Sequence, residues 1–396
     1  MGESETGARR DRPKQLDRGP FGRGGPAGLL ERGSSAGYMM KSLHGLAGEL
    51  VSTLGRALVP GVGLKMVRRV WVWPLALFLG LGSAASPGGH ASSGLADPVG
   101  ETVYLLLFGG QSNALGWGHQ QYLFETGHPL AEPQKDVWML YRKAGEGTLP
   151  MNEILPLQSG TSNQMYRPGG YYPEVREEPI SRFGPELSFG RSVKDALVAA
   201  GRDDPLVLVK FAHGGSSLYE DWYPARSGDP ADDGRLYRIF QETVEVAVHA
   251  VAERFPEHRP VVIGMGWVQG ESDAIEKRGA GYGRHLTQLI ADVRTKWGKQ
   301  VIFVLSEVSP NQTEGSRNEA WLREWEMVRR AQREVAEADP MTRAVSTGGE
   351  RFATSPDSAE GRFHYTSAAL LEIGRKMGEA WTEVFLQHFE RVERGW

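Results

Sequence analysis

Four near-continuous apolar runs, at 103–108, 205–212, 261–268 and 301–308, are separated by long stretches with helical periodicity. A strand that is apolar at every position, rather than every second one, needs cover on both faces, which a parallel sheet between helices provides. Helical patterns fall at about 185–200, 235–255, 280–297, 316–338 and 366–389, and Pro185 sits at an early helical position where its missing N–H costs nothing. This alternation predicts an α/β chain, a three-layer α/β/α sandwich around a central parallel sheet, over residues 100–390. The stretch 117–182 breaks the rhythm. It is rich in Gly, Pro, Tyr and Glu and holds one short strand candidate at 137–141. An insertion of this length is expected to shape a cleft rather than the core.

The amino-terminal hundred residues read differently. Met66-Val67-Arg68-Arg69 is a short cationic start, residues 70–81 are apolar, and Ser83-Ala84-Ala85 offers small side chains at a cleavage position. The apolar stretch is short of the roughly 20 residues a membrane span needs. The expectation is a secretory signal at 66–85 and a Gly/Ser/Pro linker at 86–99. That implies a secreted or periplasmic protein with no stable membrane anchor after cleavage. Residues 1–65, rich in Arg, Gly and Pro, read as a disordered leader or as a mis-assigned start, with translation beginning at Met66. The alternative is a cytoplasmic tail on a membrane-anchored protein.

Composition excludes several classes of function. A net charge of −4 gives no electrostatic case for nucleic acid. The absence of cysteine removes disulfides, thiolate catalysis and Cys-ligated zinc. No His/Asp cluster has metal-ligand spacing, so neither metal nor another cofactor is expected. The sequence carries no signal for oligomeric state.

The first three apolar runs end in segments suited to chemistry. The first breaks into Gly109-Gly110-Gln111-Ser112-Asn113, a turn that presents one hydroxyl at a strand end, although Gly-Gln-Ser-Asn also makes an ordinary turn. The second runs into His213-Gly214-Gly215-Ser216, where paired glycines let backbone N–H groups approach a substrate oxygen. The third ends in Gln269-Gly270-Glu271-Ser272-Asp273. Gln269 has an amide to offer the same oxygen, or ties down a loop; Glu271 and Asp273 are acids beside the cleft, or Asp273 caps a helix. A fourth segment, Phe363-His364-Tyr365, precedes the last helix and supplies His364 as base, with His213 as its rival. Nucleophile, base, orienting acid and oxyanion donors form the set that acyl transfer requires. Gln111, Asn113, Trp117 and Trp222 are candidate substrate contacts. Tyr166, Tyr171, Tyr172, Tyr219 and Tyr223 are further candidates for stacking on or hydrogen-bonding a substrate, and Arg167, Arg176 and Arg182 for pairing with an acidic one.

The blocks Gly110-Gln111-Ser112-Asn113, Gly214-Gly215-Ser216, Trp267-Val268-Gln269-Gly270-Glu271-Ser272-Asp273 and His364-Tyr365 together resemble the SGNH hydrolase superfamily. Within it the likeness is to the sialate O-acetylesterase (SASA) domain and the family six acetylxylan esterases, over about residues 102–385. The resemblance implies a flavodoxin-like fold, Ser112 as nucleophile and His364 as general base. It also implies an oxyanion hole built from the backbone N–H groups of Ser112 and Gly214 or Gly215 with the Gln269 side chain. The reaction implied is removal of acetyl groups from an acetylated glycan. One position departs from the pattern: the acid three residues before the histidine is replaced by Gly361. Glu360 is then the first candidate to orient His364, with Glu271 or Asp273 next and a Ser–His dyad last. A silent carbohydrate-binding relative and a lipase- or thioesterase-like member stay open as alternatives.

Overall fold

The computed structural model describes residues 101–142, 152–161, 181–225, 227, 229–355 and 363–393. The leader, signal and linker expected at 1–99 lie outside the described residues. So do Glu360 and the insertion residues Tyr166, Arg167, Tyr171, Tyr172 and Arg176.

Seven strands form the main sheet: β1 (Glu101–Gly110), β3 (Gln134–Tyr141), β4 (Leu155–Leu157), β6 (Leu206–Ala212), β7 (His258–Val268), β8 (Ile302–Ser306) and β9 (Thr342–Val345). They lie in the order β4-β3-β6-β1-β7-β8-β9. Every pairing is parallel except β3 with β4. Two short strands, β2 (Gly118–His119) and β5 (Arg182–Phe183), pair antiparallel and bring together the two ends of the insertion, with the short helix α2 (Gln120–Glu125) directly after β2.

The continuous apolar character of β1 has a direct structural cause. Val103, Leu105 and Leu107 enter one core, while Tyr104, Leu106 and Phe108 enter the other. The first core is closed by α4 (Arg235–Arg254), α6 (Gly279–Trp297) and α7 (Glu319–Glu337), through residues such as Phe240, Leu286 and Trp325. The second is closed by α3 (Glu186–Ala199) and α8 (Ser367–Glu393), through Phe189, Met377 and Trp381. Helices on both faces of a mostly parallel sheet make the three-layer sandwich read from the sequence.

Two strands depart from that reading. The insertion contributes to the core as well as to loops. β3 spans eight residues and pairs with β6 from Val137↔Leu206 to Tyr141↔Lys210. Its Val137 and Met139 pack on the α3 side and Leu140 on the α4 side. At the other edge, β9 shows no apolar run because only its Thr342 and Val345 are buried. An edge strand needs less apolar cover than a central one.

β6 and β7 flank β1 on opposite sides, so the crevice outside the carboxyl end of β1 is a topological switch point, the usual ligand position in open α/β sheets. Hydrogen bonds stitch the three strand ends together there: Gln111 N–H donates to Val268 O at 3.0 Å and His213 N–H to Gly110 O at 3.1 Å. Gly110 has φ of +138°, and a Cβ at that position would meet Val268 O at 2.1 Å. Only glycine lets β1 leave the sheet so close to its neighbour. Among the described residues no helix is long and apolar enough to cross a membrane, and no group of three or more His, Asp and Glu is placed to hold a metal ion.

Candidate active site

Ser112 opens α1 (Ser112–Leu115), a single turn directly beyond β1, and its side chain is half-buried. Gln111 and Asn113, on either side of it, are buried, with 4% and 0% exposure. The Gln111 carbonyl oxygen Oε1 accepts from the N–H groups of Gly270 (3.3 Å) and Ser272 (3.2 Å), which fastens the turn to the start of α5 (Glu271–Ile275). Asn113 is fastened elsewhere: its Nδ2 donates to Glu271 Oε1 (2.7 Å) and to Phe363 O (2.9 Å), and its Oδ1 accepts from Tyr365 N–H (3.2 Å). Asn113, expected as a substrate contact, thus spends its amide inside the protein, and Gln111 commits its amide oxygen there.

The paired glycines stand beside the serine, since a Cβ placed on Gly214 would lie 3.8 Å from Ser112 Cβ. Among the described residues, the backbone N–H groups of Ser112, Gly214 and Gly215 have no acceptor. The loop that carries them is braced from below. Asp273 accepts from Leu218 N–H (2.8 Å), Tyr219 N–H (3.1 Å) and Gln269 Nε2 (2.6 Å). Burial pushes the Asp273 carboxyl up to about 6, although those three donors pull it the other way. The carboxylate faces residues 218–219 and Gln269, so Asp273 does not orient His364.

Gln269 is also a brace. Its Nε2 donates to Asp273 Oδ2 and to Ser216 O (3.2 Å), and its Oε1 accepts from the Tyr282 hydroxyl (3.1 Å). An amide nitrogen carries two hydrogens, and both are spent. The expectation that Gln269 supplies an oxyanion donor is corrected accordingly: in this geometry it has no hydrogen left to give.

His364 is held from two directions. Its neighbours Phe363 and Tyr365 are bonded to Asn113, the residue next to Ser112. Its ring stacks on Trp117 with centroids 3.7 Å apart and planes 13° from parallel. Trp117 in turn has the Arg182 guanidinium 4.8 Å from its ring centroid, and its carbonyl accepts from Arg182 Nη1 at 3.3 Å. Trp117, expected to stack on a sugar, thus applies a face to the histidine. His213 turns its Nδ1 to Gly214 O at 2.9 Å within its own loop. His119 lies one residue beyond Gly118; burial, aided by the Arg182 charge, pushes it down to about 4.

Trp222, the remaining candidate contact, is fully buried. It packs edge-on against Trp267 and Phe240, and its indole N–H donates to Ser216 Oγ at 2.9 Å. A tryptophan beside a glycine-rich loop looks the same in sequence whether it faces solvent or core. Glu271 hydrogen-bonds the side chains of Asn113 and Gln312 (3.0 Å). The sequence reading passed over Gln312. The Ser309-x-x-Gln312 spacing does signal a capping box, and one is present, with Ser309 N–H donating to Gln312 Oε1 at 2.7 Å. Nothing in that motif shows that the amide also reaches Phe363 O, at 2.7 Å.

Comparison with known proteins agrees with this architecture. No curated protein matches the chain. Among solved structures, it is similar to NanS at 17% identity and a TM-score of 0.52, covering 73% of this chain and 99% of that one. At this identity the likeness is one of fold. An Arabidopsis thaliana protein matches at 17% identity and a TM-score of 0.46, over 71% of this chain and 98% of the other. A carbohydrate acetylesterase from Xanthomonas citri matches at 17% identity and a TM-score of 0.42, over 71% and 56%. A family model described as "Carbohydrate esterase, sialic acid-specific acetylesterase" matches residues 101–383, well over half of the sequence and nearly all of the described body. The chain belongs to that carbohydrate esterase family.

Proposed function

We propose that the chain is a serine esterase that removes O-acetyl groups from carbohydrates, with Ser112 as nucleophile and His364 as general base. The observation that carries this reading is the attachment of the His364 segment to the turn that bears Ser112, through Asn113 and the Trp117 stack. In the first step His364 takes the hydroxyl proton as Ser112 Oγ bonds to the acetyl carbon. The N–H groups of Ser112, Gly214 and Gly215 receive the developing oxyanion. As the intermediate collapses, the bond to the sugar oxygen breaks and His364 returns the proton to that oxygen. Water then hydrolyses the acetyl-enzyme by the same route. Glu360 stays the proposed orienting acid; Glu271 bonds the Asn113 and Gln312 amides that hold the Phe363 carbonyl.

The family description supports an acetylated sugar as substrate, and O-acetylated sialic acid is the first compound to test. Acetate release is measured from p-nitrophenyl acetate and from a panel of acetylated glycans, beside Ser112→Ala. The variant is expected to fold and to lose more than about 1000-fold in turnover, as removal of a triad nucleophile does. A Ser112→Ala protein as active as the parent would end the proposal. We further propose export through the segment 66–85, checked by amino-terminal sequencing of secreted protein.

A further inference from the structure

We infer that Asn113, Gln312 and Glu271 form a buried clamp that sets the position of His364, and that Asn113 is the positioning residue through which nucleophile and base are brought into register. The clamp's catalytic consequence rests on the esterase reading above; its geometry does not.

Two carboxamides from different loops donate to the same pair of acceptors. Asn113 Nδ2 reaches Glu271 Oε1 at 2.7 Å and Phe363 O at 2.9 Å. Gln312 Nε2 reaches the same Glu271 oxygen at 3.0 Å and the same carbonyl at 2.7 Å. Each nitrogen has two hydrogens, so all four are used, and neither amide can rotate without breaking two bonds. The orientation this imposes leaves the two amide oxygens pointing at further donors. Asn113 Oδ1 takes Tyr365 N–H at 3.2 Å, and Gln312 Oε1 takes Ser309 N–H at 2.7 Å. Phe363 O and Tyr365 N–H belong to the residues on either side of His364. Its backbone is thereby fixed from both sides, and its ring by Trp117.

The choice of a carboxylate at 271 follows from this arrangement. Two N–H groups point at one atom, and a carboxylate oxygen, with no hydrogen of its own to place and a negative charge, accepts both more strongly than a neutral oxygen does. All three side chains are buried: Asn113 is 0% exposed, Gln312 1% and Glu271 3%. The second carboxylate oxygen, Oε2, is buried and has no hydrogen-bond partner among the described residues. A buried, half-satisfied carboxylate is expensive to maintain. Apolar side chains at all three positions would remove the buried charge, but they would leave Phe363 O and Tyr365 N–H without directed partners. Residues that hold a catalytic group in register matter because misplacement by about 1 Å costs on the order of 100-fold in rate.

The test uses the full chain with two variants, Asn113→Ala and Gln312→Ala, which approach the clamp from separate loops. On p-nitrophenyl acetate each is expected to lower kcat by about 10- to 100-fold while KM stays within twofold, because the small substrate touches neither residue. In parallel, imidazole resonances are followed by NMR. Those of His364 are expected to shift in Gln312→Ala, while those of His249 and His388 hold still. A kcat within twofold of the parent in both variants, or a loss confined to KM, would overturn the clamp. So would unchanged His364 resonances in Gln312→Ala. If Asn113→Ala fails to fold, Gln312→Ala decides alone, since it leaves the nucleophile turn intact. A parent protein with no hydrolysis at all would sink the esterase reading instead, and the NMR comparison would still judge the clamp.

Discussion

Gln269 and Asp273 share one short hydrogen bond, and each holds a different part of the 216–219 backbone. Removing Gln269 leaves Ser216 O and one Asp273 oxygen short of a donor in a buried place, and such losses cost roughly 1–3 kcal/mol. Gln269→Ala is therefore expected to lower the unfolding free energy by about that amount in urea titration, with any fall in turnover following the loosened loop. A loss of activity at unchanged stability would return Gln269 to the oxyanion hole. Asp273 makes a separate statement about pH. Its folded carboxyl sits near 6 against an ordinary 3.8, so between those values the folded protein binds a proton that the unfolded chain does not. Its contribution to stability is thus full below about pH 4 and is lost as pH rises towards 6, by on the order of 3 kcal/mol. The difference in unfolding free energy between the parent and Asp273→Asn is expected to change across that window and to be flat above it. A flat difference from pH 4 to 7 would contradict the assignment.

Where elements meet, the buried pair Lys210–Glu186 is the clearest case of a link hidden from sequence. Lys210 lies in β6 and Glu186 opens α3, with Nζ and Oε1 2.9 Å apart and both side chains buried. The ammonium also donates to Leu115 O at the end of α1 and to Thr161 Oγ1, while Glu186 Oε1 accepts from Gly184 N–H and Thr161. Burial holds the Lys210 pKa below its usual value, with the Glu186 charge acting in opposition. The network ties the turn that bears Ser112 to Thr161 within the insertion and to the start of α3 beyond it. Lys210→Met strands a buried carboxylate and is expected to cost about 3–5 kcal/mol, whereas Lys210→Met with Glu186→Leu recovers most of it. Guanidinium titrations of both variants check this. Had Lys210 been placed by its neighbours in sequence, it would have been one polar residue in an apolar strand. Its role needs the third dimension. The same holds for Trp117, whose stack on His364 appears only in the fold: Trp117→Leu is expected to reduce kcat by about tenfold or more on p-nitrophenyl acetate with little change in KM. An unchanged kcat would make the stack incidental.

For the molecule as a whole, β1 is the middle strand of seven and begins at Glu101. Removal of residues 1–99 is expected to leave folding and hydrolysis intact, since β1 is complete. Removal of 1–107 takes out the strand that both cores share and is expected to give no soluble folded protein; circular dichroism and the acetate assay distinguish the two.

Layering, strand order of appearance and the strand-end positions of Ser112, Gly214 and Gln269 were all legible from the chain, as was the position of His364 just before the last helix. They depend on periodicity and on glycine, which are local properties of backbone and solvent. Donor and acceptor assignments were not legible. Asn113, Gln269 and Trp222 were read as groups that face a substrate, and each spends its polar atoms inside the protein, as Gln111 spends its amide oxygen. A side chain's identity states which hydrogen bonds it is able to make; burial and the neighbours that the fold brings to it decide which ones it does make.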